Sequence, residues 1–166
     1  MLALTTIVAA ALSLLSTGCS SAPLTIMLDG KEGSRDMVQE KIMKKPALLT
    51  ISDPIECKPK LKFTFSDPKH FGRITMVQAQ IHQKVEADYS HLAEYVIISK
   101  DVNNSEAQMK PDTEYDLGSP PDWLRIMDVN KKDVPGIELK PGVEYMISVS
   151  VVADKSETAN VYFKTK

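Results

Sequence analysis

Apolar and polar residues alternate with period two along most of the chain after Pro46, and that alternation predicts strands. Leu61-Lys62-Phe63-Thr64-Phe65 places Leu61, Phe63 and Phe65 on one face. Between Arg73 and Gln83, Val77, Ala79 and Ile81 fall inward while Gln78, Gln80 and His82 face out, as in an antiparallel sheet covered on one side. Ala47–Ile51, closed by Asp53-Pro54, and Glu94–Ser99 are further β runs. The strongest pattern is C-terminal: Tyr145, Ile147, Val149 and Val151 share a face, a polar turn follows at Asp154–Glu157, and Val161 and Phe163 return inward. This is a β-hairpin with a longer loop. The fold class expected is all-β, an antiparallel β-sandwich over residues 46–166.

The front of the chain departs from this pattern. Leu2–Leu15 holds no charged residue and is too short to span a bilayer, which takes about 20 apolar residues. It reads as a secretory signal over residues 1–18 and is set aside from fold reasoning. Leu15-Ser16-Thr17-Gly18-Cys19 resembles the lipobox of bacterial lipoproteins. That resemblance implies that Cys19 becomes the lipidated first residue of the mature chain, a palmitate-bearing anchor. Ser20, standing where an Asp would favour the inner membrane, implies the outer membrane, with the domain facing the periplasm or the cell surface. One acyl chain holds a protein only marginally and two or more hold it stably, so the anchor would be lasting.

Residues 19–45 then read as a tether. Within it, Leu24–Leu28 forms a short candidate strand ended by the Asp29-Gly30 turn signal. Ser34, as an N-cap before Met37, Val38 and Ile42, suggests a short amphipathic helix over 34–44. Lys41, Lys44 and Lys45 are candidates for contact with anionic headgroups or for a solvated face.

The segment Leu139-Lys140-Pro141-Gly142-Val143-Glu144-Tyr145 ahead of the last hairpin resembles the end of fibronectin type III domains, an Ig-like sandwich. The resemblance runs from Ile137 to Thr165. It implies that Tyr145 forms a tyrosine corner, its hydroxyl bonded to upstream backbone, with Leu139 beneath it and Pro141-Gly142 making the turn. It implies nothing about a ligand.

Ser105–Gly136 is the most irregular stretch, with Pro111, Pro120, Pro121 and Pro135 and one short strand expected around Trp123–Met127. Loops on a rigid sandwich carry function more often than strands do. Asn103, Asn104, Asp112, Tyr115, Trp123, Asp128 and Asn130 are therefore the candidate binding-loop residues.

Charge and cysteine usage narrow the chemistry. With 20 basic and 22 acidic side chains the net charge is −2, and no basic stripe calls for nucleic acid. With Cys19 assigned to lipid, Cys57 has no partner for a disulfide within the chain. His70, His82 and His91 lack metal-ligand spacing, and the Asp/Asn groups at 101–106 and 128–133 lack the loop of an EF-hand. No Gly-x-Ser-x-Gly elbow, no Ser-x-x-Lys accompanied by its companion motifs and no phosphate loop occurs. The expectation is a non-catalytic, lipid-anchored module without metal or cofactor that binds a protein partner or has a structural role. The alternatives are an anchored inhibitor or ligand-sequestering protein using loops 103–136 and, last, an envelope hydrolase.

Overall fold

The computed structural model describes residues 24–35, 49–85, 88–90 and 92–166. Residues 1–18, where a signal is expected, Cys19, the three lysines at 41, 44 and 45 and His91 lie outside them. Among the described residues the chain is all-β and forms two sheets packed as a sandwich.

The smaller sheet holds β1 (Leu24–Leu28), β2 (Lys31–Glu32), β5 (Lys60–Phe65) and β9 (Tyr115–Asp116) in the order β2-β1-β5-β9. The larger has nine strands. Along its path run β11 (Asp133–Val134), β10 (Leu124–Asp128), β8 (Tyr95–Ser99), β6 (Ile74–Val85), β12 (Glu144–Ala153), β13 (Glu157–Lys164), β4 (Leu49–Thr50) and β3 (Ser34–Arg35); β7 (Asp88–Tyr89) pairs off β6. Pairing is antiparallel except between β13 and β4, where Val161 and Tyr162 run parallel to Leu49 and Thr50.

The register explains the core. Ala159, Val149, Ala79, Ile97 and Ile126 lie opposite one another on successive strands, and so do Phe163 with Tyr145 and Val161 with Ile147 and Ile81. The inward residues of these rows pack against Leu24, Ile26, Leu28, Leu61 and Phe63 of the smaller sheet. Burying each such Leu, Ile or Phe contributes about 1.5–3 kcal/mol, so one slipped register would turn a whole row to water.

The small sheet takes in residues that the sequence assigns to the tether. Leu24–Leu28 pairs with β5 along its whole length, Leu24 opposite Phe65 and Leu28 opposite Leu61. Its three leucine and isoleucine side chains are buried, which is why this stretch joins the core instead of standing off from it. The domain boundary at 46 is corrected accordingly: folded structure is present from Leu24. Asp29 and Gly30 both take positive φ and close a two-residue hairpin to β2. The Asp29 carboxylate then accepts from the N–H groups of Glu56, 2.9 Å, and Lys60, 2.8 Å. The helix expected over 34–44 meets strand β3 at Ser34–Arg35, and its remaining residues lie outside those described.

A four-residue helix, α1 (Pro68–Phe71), links β5 to β6. Asp67 caps it by accepting from Lys69 N–H at 3.0 Å, and Pro68 stands in its first turn, where a missing N–H costs nothing.

Candidate functional site

The last corner of the sandwich is built on Tyr145. Its side chain is fully buried and its ring stacks on Phe163 at 5.8 Å. The hydroxyl accepts a hydrogen bond from Lys140 N–H, five residues upstream, at 3.1 Å. Leu139 is buried beside it in the core, and Gly142 takes φ +72°, a left-handed turn conformation that L side chains rarely adopt. Thr165 locks the turn, donating to Lys140 C=O at 2.6 Å and accepting from Val143 N–H at 3.1 Å. Burial pushes the Tyr145 hydroxyl above its ordinary pKa.

The same construction occurs a second time. Met109-Lys110-Pro111-Asp112-Thr113-Glu114-Tyr115 matches Leu139–Tyr145 as an apolar residue followed by Lys-Pro-x-x-Glu-Tyr. Met109 and Tyr115 are buried, Asp112 stands in Gly142's place with φ +61°, and the Tyr115 hydroxyl accepts from Lys110 N–H at 2.7 Å. The repeat is legible in the sequence as Lys-Pro-x-x-Glu-Tyr, although it carries no strand alternation of its own.

This second corner carries a concave site. Trp123 meets Tyr115 edge to face, centroids 5.8 Å apart and planes at 86°. Tyr115, Trp123 and Pro121 form the apolar part of a cavity of about 700 Å³, whose polar wall includes Glu106, Gln108, Lys110, Glu114 and Asp116. Three contacts fix the wall. Asp116 accepts from Gly118 and Ser119 N–H at 2.9 and 3.1 Å, and Glu114 pairs with Lys60 at 3.5 Å. Behind it the chain passes so close that a Cβ on Gly136 would lie 2.2 Å from Gly118 C=O, and Ile137 N–H donates to Leu117 C=O at 2.7 Å.

Of the seven candidate loop residues, the structure brings Tyr115 and Trp123 together in this cavity. The others shape turns. Asn103 N–H donates to Asp101, Asn104 caps a 3-10 turn at Ser105–Ala107 through Glu106 N–H, and Asp112 holds the left-handed position of its corner. Asp128 accepts from Asn130 and Lys132 N–H, both at 2.9 Å, and so closes the β10–β11 hairpin. Those bonds, that from Lys132 first, hold the Asp128 carboxyl below its usual range. Gln108, Pro121 and Glu106 were not among the predicted residues, and their single positions in the sequence carry no signal that sets them apart.

The other chemistry-bearing side chains are dispersed. His70 Nε2 lies 3.1 Å from Glu157 and His82 Nδ1 lies 3.0 Å from Ser90 C=O, while Cys57 is half-buried near the Lys166 carbonyl. Among the described residues no three His, Cys, Asp or Glu side chains gather within reach of one metal ion, and no helix is long and apolar enough to cross a membrane. Comparison with models of known protein families finds no match, and none of the curated proteins matches the chain.

Proposed function

We propose that this protein is a lipid-anchored envelope lipoprotein whose sandwich acts as a non-catalytic protein-binding module through the Tyr115–Trp123 cavity. The observation that carries the reading is the joining of a partly exposed Trp and a buried Tyr to a proline wall on a braced turn. Large, stiff aromatic surfaces at the centre of a small concavity, rimmed by polar groups, are what binding hot spots require. The anchor is supported by the charge-free Leu2–Leu15 run and by Gly18-Cys19. Kinship with fibronectin type III domains belongs to the same proposal, supported by the Lys140–Tyr145 bond.

The test is site-specific photo-cross-linking in intact cells. A cross-linker at Trp123 should trap one discrete envelope partner, and the same group at Asn130, on the β10–β11 turn, should not. Equal adducts at both sites, or none at Trp123, would overturn the binding role. A partner that is itself an enzyme and is inhibited on binding would make the module an anchored inhibitor.

A further inference from the structure

We propose that the corner of the sandwich where β1 begins rests against an anionic lipid surface, with Lys69, Arg73 and Lys155 facing the headgroups. This rests on the lipid-anchor reading of Cys19. From Cys19 to Leu24 the chain has five residue steps, which span at most about 18 Å when fully extended. Because β1 is held to β5 from Leu24 onward, that short connection keeps the start of β1 within about 18 Å of the anchor.

The register identifies which corner is brought close. Leu24 pairs with Phe65, Phe65 packs on Phe71 at 4.1 Å between centroids, and Phe71 C=O accepts from Lys155 N–H at 3.4 Å. The α1 segment, Gly72-Arg73 and the β12–β13 turn therefore meet beside the start of β1.

Cations and carboxylates at this corner differ in how firmly the fold holds them. Its carboxylates are engaged within the fold: Asp67 caps Lys69 N–H, Asp154 accepts from Arg73 N–H at 2.9 Å, and Glu157 binds His70. Lys69, Arg73 and Lys155 are exposed, and among the described residues their side chains have no ion-pair partner. At the opposite end four lysines are paired with carboxylates, Lys58 with Glu138, Lys60 with Glu114, Lys84 with Glu144 and Lys166 with Glu56. A negative leaflet attracts exposed Lys and Arg that come within a Debye length of its surface, about 8–10 Å at physiological salt, and the short connection keeps this corner close enough for such approaches.

The test uses the full mature lipoprotein in vesicles of phosphatidylethanolamine and phosphatidylglycerol, with Cys57→Ser removing the second thiol and mass spectrometry verifying lipid on Cys19. A fluorophore is placed at Lys69→Cys or, at the far end, at Lys140→Cys, and nitroxide-labelled lipid is the quencher. Loss of fluorescence at 69 but not at 140, relieved by Arg73→Glu with Lys155→Glu, supports the proposal. Equal quenching at both sites on lipidated protein, or quenching at 69 that the charge reversals leave unchanged, overturns it. An unmodified Cys19 overturns the anchor reading itself, and the orientation falls with it.

Discussion

The Tyr115 hydroxyl accepts the backbone N–H of Lys110 at 2.7 Å, five residues back, just as Tyr145 reaches Lys140 at 3.1 Å. Each bond satisfies a backbone donor at a turn where no strand partner is available, and each tyrosine ring is buried. Removing either hydroxyl while keeping the ring isolates that one bond. Tyr115→Phe and Tyr145→Phe should each lose about 1–3 kcal/mol, the cost of leaving a donor unpaired. The double variant should lose close to the sum, since the corners share no partner. Urea midpoints at constant m would measure this, and a loss near zero in either single variant would remove that corner's structural role.

Gly136 and Gly142 should respond differently to the same methyl group. A Cβ on Gly142 meets open space, so Gly142→Ala pays only for its left-handed φ, about 1–2 kcal/mol. At Gly136 the methyl would collide with the Gly118 carbonyl at 2.2 Å, and the turn that braces the cavity must move. Thermal melts should therefore rank Gly136→Ala well below Gly142→Ala.

The Asp29 carboxylate bridges the first hairpin to the Glu56–Lys60 segment with two charge-assisted bonds. Asp29→Asn keeps one acceptor and tolerates the positive φ, whereas Asp29→Ala keeps neither advantage. The expected order of stability is wild type, then Asn, then Ala, with the Ala variant about 2–4 kcal/mol below wild type. Denaturant titration of the three proteins checks the order.

Acid and alkaline limbs of stability have separate origins. Asp128, held low chiefly by Lys132 N–H, and Glu144, held low by Lys84, are depressed in the folded state. Their contributions are present above the unfolded carboxylate value and are lost as pH falls through the lower folded one. Tyr95 and Tyr145 are raised by burial, so their contributions are full below the unfolded value near 10 and disappear as pH climbs through the folded one. Urea midpoints against pH should show a shallower acid limb in Asp128→Ser, and, because the Asp128 charge also helps raise Tyr95, a slightly smaller alkaline contribution from that tyrosine.

The strands with long alternation, β5, β6, β8, β12 and β13, were legible because each carries its own inward face in sequence. The placement of β1 was not. Five residues mark a strand but cannot say that the partner is Phe65 rather than a near neighbour, which only closure of the fold decides. The helix α1 had its signal in Asp67-Pro68, an N-cap followed by a first-turn proline, beneath the β patterning on either side. The candidate site was half legible. Asn and Asp in a loop mark turns and ligands alike, and here Asn103, Asn104, Asp112, Asp128 and Asn130 all serve turns. Tyr115 and Trp123 were foreseeable as exceptional aromatics in a chain with few of them.

The pairing of Leu24 with Phe65 also sets an order of events for a chain that emerges from its amino terminus. The opening strand must wait, its apolar side uncovered, until the whole stretch through β5 has been delivered, and closing so long a loop costs more than zipping the final hairpin. A helper that shields the newborn front end would act during that interval, whereas the β12–β13 ribbon needs none.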